Sequence, residues 1–270
     1  MKKISVCTIA AVLITALLSG CGASGNPQGS QPPATETTAP TTSTTLPTNP
    51  TTESVPESVP AVPADDIVFD AGEFSDYANL TYAEQIRRYY TALSEKWDTE
   101  QYFDKGMSAL PVHYYEGNPL ENVGFGFVDL DNDDNMELVI GAILNAEMDP
   151  AVFEIWTLVD GEPVMLVQGG SDNHIVLQYT EEDRMWYVVS ESSNGAASNA
   201  TYYMMLCEGK LDVMQGIMFN ALADEENPWF MTYDLDWDAS NDSPIDEDMA
   251  IGILDSNRRY YTALEYFPFA

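Results

Sequence analysis

Nine consecutive residues carry most of the chemistry legible in this chain of 270 residues. Asp129-Leu130-Asp131-Asn132-Asp133-Asp134-Asn135-Met136-Glu137 places carboxylates at loop positions one, three, five and nine. Hard cations such as Ca²⁺ take about six to eight oxygen ligands, and aspartates at alternate positions of a tightly turned loop supply three of them from one side. The expected ligands are Asp129, Asp131, Asp133, the backbone carbonyl of Asn135, and Glu137, with calcium as the candidate cofactor. An EF-hand does not fit. Position twelve is Ile140 instead of a bidentate Glu, and the flanking segments have strand character. A metal-free acidic hairpin closed by Asx turns is the alternative, and the residues alone leave both open.

A second acidic run, Asp234-Leu235-Asp236-Trp237-Asp238 with Asp242, has similar spacing. No strand follows it, and Ser243-Pro244 leads toward a helix, so it reads as a strand end and turn. Catalytic signatures are missing: the sequence has no Gly-x-Ser-x-Gly elbow, His-Glu-x-x-His, phosphate loop or dinucleotide fingerprint. His113 and His174 are the only imidazoles, too sparse for a zinc motif. A glycoside hydrolase needs only two suitably spaced carboxylates, so that class stays open.

The elements that must position the acidic loop can be read from periodicity. Thr81-Tyr82-Ala83-Glu84 has the form of a capping box, opening a helix with the apolar stripe Ile86, Tyr89, Tyr90, Leu93 and Trp97. Asp98, with Gln101 three residues on, predicts a second helix reaching about Leu110. Strands follow: Val123 to Val128, Glu137 to Leu144, then Phe153 to Val159 and Glu162 to Gln168 around Asp160-Gly161, a hairpin signal. Ile175 to Tyr179, Trp186 to Ser190, Thr201 to Cys207 and Leu211 to Ile217 continue the meander. Pro244 to Leu254 reads as a short helix before an aromatic terminal stretch. The expected fold class is α+β: a helical pair, a mainly antiparallel meander, then a short helix and strand. Arg87 to Leu93 and Arg258 to Leu264 are the same heptamer, RRYYTAL. The first copy is expected as helix and the second, beside Phe267-Pro268-Phe269, as mostly strand over Thr262 to Leu264.

The acidic loop, set between two strands, resembles the calcium hairpins of FG-GAP and VCBS-type repeats. It departs from their pattern at Asp134, where glycine is expected. That position often needs a left-handed backbone, which Asp adopts less readily than Gly. The wider arrangement, with Asn118-Pro119-Leu120-Glu121-Asn122-Val123-Gly124-Phe125 ahead of the hairpin, is similar to surface lipoproteins of Gram-positive gut anaerobes. That resemblance implies fold and location and carries no reaction.

Location has its own signal. Lys2 and Lys3 precede an apolar stretch from Ile4 to Leu17, which then reaches Leu18-Ser19-Gly20-Cys21. This resembles the lipobox of bacterial lipoproteins and implies removal of residues 1–20 and lipidation of Cys21. Residues 21–64 are rich in Thr, Pro and Ser and cannot bury enough surface to order themselves. As an extended tether of about 3.1 Å per residue they would reach on the order of 130 Å. The expected folded part is 65–270, facing the extracellular side of a membrane that it touches only through the lipid anchor.

The whole chain has 44 acidic and 10 basic residues. Setting aside Glu36, Glu53, Glu57, Lys2 and Lys3 leaves 41 acids and 8 bases in the expected domain. That balance argues against nucleic acid or anionic lipid as partners, since both require extended basic surface. With Cys7 lost and Cys21 lipidated, Cys207 is expected as a small core residue without an intramolecular disulfide. The leading expectation is a non-catalytic, calcium-supported module binding a polymer or protein at the cell surface. A glycan hydrolase and a structural envelope protein are the alternatives. If Cys21 is the anchor, Cys21→Ser will move the protein from the detergent phase to the aqueous phase on detergent partitioning. Equal membrane association of the two forms would contradict the lipoprotein assignment.

Overall fold

The computed structural model describes residues 67–143 and 151–270. The leader (1–20), Cys21 and the tether (21–64) lie outside the described residues, as does Leu144 at the expected end of the second strand. Among the described residues no helix is long and apolar enough to cross a membrane.

Helix α1 (Ala83–Ser94) forms where the apolar stripe recurs, and Ile86, Tyr89 and Leu93 are buried together. The expected Thr81 capping box does not form. The N-cap is Tyr82, without a side-chain cap, and a π-helical turn at Tyr77–Thr81 leads into it. Tyr82 is drawn inward instead: its ring is fully buried and its hydroxyl donates to the Met136 carbonyl at 2.9 Å. Trp97 falls beyond the helix. Helix α2 (Thr99–Asp104) has the expected capping box, with Asp98 Oδ1 accepting from the Gln101 amide at 2.9 Å and Gln101 Oε1 accepting from the Asp98 amide at 3.0 Å. It stops well short of Leu110, because Gly106 turns the chain at φ 64°. A 3₁₀ turn, Leu110–Tyr114, and the short helix α3 (Pro119–Asn122), capped by Asn118, lead into the sheet.

Eleven strands form one antiparallel sheet: β1 (Val123–Val128), β2 (Glu137–Ala142), β3 (Val152–Val159), β4 (Glu162–Gln168), β5 (Asn173–Thr180), β6 (Met185–Ser193), β7 (Ser198–Cys207), β8 (Lys210–Asn220), β9 (Trp229–Thr232), β10 (Ser243–Pro244) and β11 (Phe267–Pro268). The order is β10-β9-β8-β7-β6-β5-β3-β2-β1-β11, with β4 branching from β3. The architecture is therefore α+β with a mainly antiparallel meander. The β3–β4 hairpin turns through Asp160 (φ 54°) and Gly161 (φ 84°), the left-handed pair that matches strand twist. Strand β9 corresponds to the strand end read ahead of Asp234, and β10 was not expected from the sequence. Helix α4 (Glu247–Arg258) starts after Asp246, which caps the Met249 amide, and so begins later than Pro244.

Two cores share the central strands. Helices α1 and α2 cover one face of β1–β3, burying Phe125, Leu138, Ile140 and Phe153. Val139 and Ile155 point the other way and join Ile175, Leu177 and Val188 from β5 and β6. The segment after α4 then crosses the sheet. Tyr266 lies over a trough in which Gly124 and Gly141 are register partners, and β11 pairs with the outer edge of β1.

The two heptamers differ in structure. The first lies within α1. In the second, Arg258 ends α4, Tyr261 makes a single bridge to Gln178, and Thr262 to Leu264 are irregular, so the expected strand there is corrected. Strand structure begins only at Phe267, where partners on β1 become available. Cys207 is buried at the end of β7.

The trough yields a contrast between glycines. A Cβ on Gly141 would sit 2.5 Å from the Tyr266 hydroxyl and 2.7 Å from the Ala151 carbonyl oxygen. One on Gly252, inside α4, would meet nothing within 4 Å. Gly141→Ala is expected to cost about 1–3 kcal/mol through overpacking. Gly252→Ala should be neutral or stabilise by about 0.5–1 kcal/mol through helix propensity. Urea midpoints for the two variants, compared with wild type, check both signs.

Candidate metal centre

The acidic loop joins the end of β1 to the start of β2, and each turn of it is held by its own side chains. Asp129 Oδ1 and Oδ2 accept from the amides of Asp133 (3.1 Å) and Asp134 (3.2 Å). Asp133 accepts from the amide and the side chain of Asn135, each at 2.8 Å. The backbone is left-handed at Asn132 (φ 59°) and Asp134 (φ 71°). Asp134 therefore occupies the conformation that the hairpin pattern gives to glycine, and Asn and Asp are the side chains that tolerate it best.

Of the four expected carboxylate ligands, the structure brings three together. One carboxylate oxygen each from Asp129, Asp131 and Glu137 lie within 4.8 Å of one another. Asp133 lies in the same loop, but its carboxylate is engaged by Asn135 and stands outside this group. The Asn135 side chain serves as a donor in the turn. Glu137, the first residue of β2, is only 2% exposed. It is fixed by two donors: the Leu130 amide at 2.8 Å and the Thr157 hydroxyl, from β3, at 2.9 Å. Thr157 carried no signal in the sequence, since its role arises only from strand pairing.

Burial sets the electrostatics. Glu137 is pushed up from 4.5 to about 7, first by burial and then by Asp131 and Asp133, against its two hydrogen bonds. Asp131 is pushed up from 3.8 to about 6 by burial, with Asp133 and Asp129 adding. Asp131 Oδ1 is buried and has no hydrogen-bond partner. A buried carboxylate oxygen with no donor is costly, and a cation is one of few groups that could satisfy it here. The donor set fits a hard, oxygen-loving ion: three carboxylates with no nitrogen or sulfur ligand.

The second acidic run forms no such group, and among the described residues only Asp129, Asp131 and Glu137 are arranged to hold a metal. Its aspartates instead make consecutive turns, accepting from the amides of Asp236, Asp238 and Ser240. His174 pairs with Glu191 at 3.2 Å.

Without metal, the raised carboxylates give stability a definite pH dependence. In the folded protein Asp131 and Glu137 hold protons at pH values where the unfolded chain has released them. Their contribution is therefore fully present below the ordinary carboxylate range, and is lost as pH rises through about 6 and 7. In chelator, Asp131→Asn should gain melting temperature relative to wild type as pH rises from about 5 to about 8. Parallel curves for the two proteins would show that the cluster is not strained by charge. Comparison of the chain with family models, with curated proteins and with solved structures returned no match.

Proposed function

We propose that the folded part is a non-catalytic, calcium-supported binding module, held outside the cell by a lipid on Cys21 and a long tether. The observation that carries the calcium part is the Asp129–Asp131–Glu137 group, with its unpartnered, buried Asp131 oxygen. A divalent ion there would offset the burial and the mutual repulsion that together raise both pKa values. It would also tie the loop after β1 to the first residue of β2. The lipobox-like Leu18-Ser19-Gly20-Cys21 and the Thr/Pro/Ser-rich stretch support the location. The domain's acidity suits a calcium-rich extracellular setting and disfavours nucleic acid and anionic membrane as partners.

The size of the calcium effect follows from linkage. Extracellular calcium modules bind at about 10⁻⁴ to 10⁻³ M. At roughly 1 mM free calcium this gives about 0.4 to 1.4 kcal/mol of stabilisation. The expected outcome is a rise of a few degrees in melting temperature with calcium over chelator, poorly reproduced by magnesium. Asp131→Ala should abolish the rise while costing little in chelator, because it deletes a ligand and relieves repulsion together. A folded sample indifferent to calcium in a thermal scan would leave the hairpin purely structural.

A further inference from the structure

We propose that Asn194, at the tip of the β6–β7 hairpin, is a site of spontaneous deamidation, in which the Gly195 amide nitrogen displaces the side-chain amide as ammonia. The turn spans residues 194–197, between Ser193 at the end of β6 and Ser198 at the start of β7. Asn194-Gly195 is the one Asn-Gly pair in the 270 residues. Both residues are exposed. Loop tips built from small and polar residues are where chemical change meets least resistance from packing.

The turn leaves both reacting groups unengaged. It is closed by the Asn194 amide donating to the Ser198 carbonyl at 2.9 Å. The Gly195 carbonyl accepts from the Ser198 amide at 3.4 Å and from the Ser193 hydroxyl at 3.3 Å, both at the weak end of the hydrogen-bond range. Among the described residues, the Gly195 N–H donates to no acceptor and the Asn194 side chain makes no hydrogen bond. Gly195 has a φ of 85°, and a Cβ placed on it would meet nothing within 4 Å. The peptide unit that has to swing toward the Asn194 side chain is therefore free of side-chain bulk and of any strong hydrogen bond.

Other asparagines of the domain lack one condition or the other. Asn79, Asn118, Asn122, Asn135, Asn173 and Asn220 hold their side chains in hydrogen bonds. Asn199 is exposed, but it lies within β7, paired with Ser193 on one side and Phe219 on the other, and Ala200 follows it. Asn227 precedes Pro228, whose nitrogen carries no hydrogen to lose. Asn132, Asn241 and Asn257 are followed by Asp or Arg, whose side chains crowd the attacking nitrogen.

The Gly195 nitrogen loses its proton to hydroxide or water and attacks Cγ of Asn194. The new N–Cγ bond closes a succinimide ring, and the Cγ–Nδ2 bond breaks as ammonia leaves with a proton. Water then opens the ring at either carbonyl. One opening gives aspartate, and the other gives isoaspartate, whose main chain runs through Cβ. The net change is amide plus water to carboxylic acid plus ammonia, with no oxidant or cofactor. Either product adds a negative charge to the hairpin tip. Isoaspartate also lengthens by one bond the path between the Asn194 N–H and the Gly195 carbonyl, the two groups that meet Ser198. It therefore loosens the tip, while the Ser193–Asn199 pair below it remains.

Incubation of the full chain at mildly alkaline pH, folded and in urea, followed by peptide mapping tests the assignment. The peptide holding Asn194 is expected to change first, gaining the mass of OH over NH₂, with ammonia released and isoaspartate among its products. It should outpace the peptide holding Asn199 by on the order of tenfold or more, and the folded rate should lie within about tenfold of the rate in urea. The rate should rise with pH, because the nitrogen must lose its proton. Gly195→Ala should slow it, and Asn194→Gln, which would have to close a larger ring, should abolish it. Asn194→Asp marks where the aspartate product elutes on ion exchange. A folded chain inert at Asn194 overturns the proposal, whether or not the urea-unfolded chain reacts. So do equal rates at Asn194 and Asn199, aspartate formed without isoaspartate, or an unchanged rate in folded Gly195→Ala. If Gly195→Ala does not fold, the comparison with Asn199 and the isoaspartate readout decide the matter in wild type.

Discussion

Strand β2 is buried on both faces, and much of the structure follows from that. Leu138 and Ile140 face the helical core, while Val139 faces the core made with β5 and β6. A strand so enclosed leaves its first residue, Glu137, no route to solvent. A carboxylate there must be protonated, hydrogen-bonded or paired with a cation. Leu130 and Thr157 supply two hydrogen bonds, and Tyr82 braces the neighbouring Met136 carbonyl from the helical side. The acidic loop is thus clamped at its C-terminal end by packing, while its N-terminal end is shaped by local turns.

The domain separates its charges. Acids are spread over the surface and concentrated in two loops, one converging on a point and the other laid out as successive turns. Of the few cations, Arg258 and Lys210 are neutralised by chain carboxylates, whereas Arg87, Arg88 and Lys105 lie on or beside α1 without a salt bridge among the described residues.

How much of this could be read from sequence depended on how local the cause was. The Asp160-Gly161 turn and the Asp98–Gln101 capping box were legible, because each is decided within four residues. The strands of the meander showed through their apolar runs. The capping box at Thr81 failed because a distant partner, the Met136 carbonyl, competes for the orientation of Tyr82. Strand β9 showed only as a strand end, because just five residues separate Pro228 from Asp234, where the acidic turn begins. In the loop, the spacing pointed to four carboxylates and three converge; Asp133 is diverted by Asn135, close to it in the turn. The pairing of Arg258 was not legible either: the two heptamers are identical in sequence, and only the second meets Glu191 of β6.

The pairing of β11 with β1 has a kinetic consequence. Phe125 and Phe267 are register partners separated by over half the chain, whereas β5 through β8 form from sequence neighbours. Closing so large a loop is entropically slow, and local hairpins should be in place first. The terminal strap would then be the last unit to lock and, by the same logic, the first to open. Amide protons of β1 facing β11 should therefore mark a sub-global opening that is cheaper than complete unfolding. Through it, the helical core could be exposed transiently while the meander stays intact.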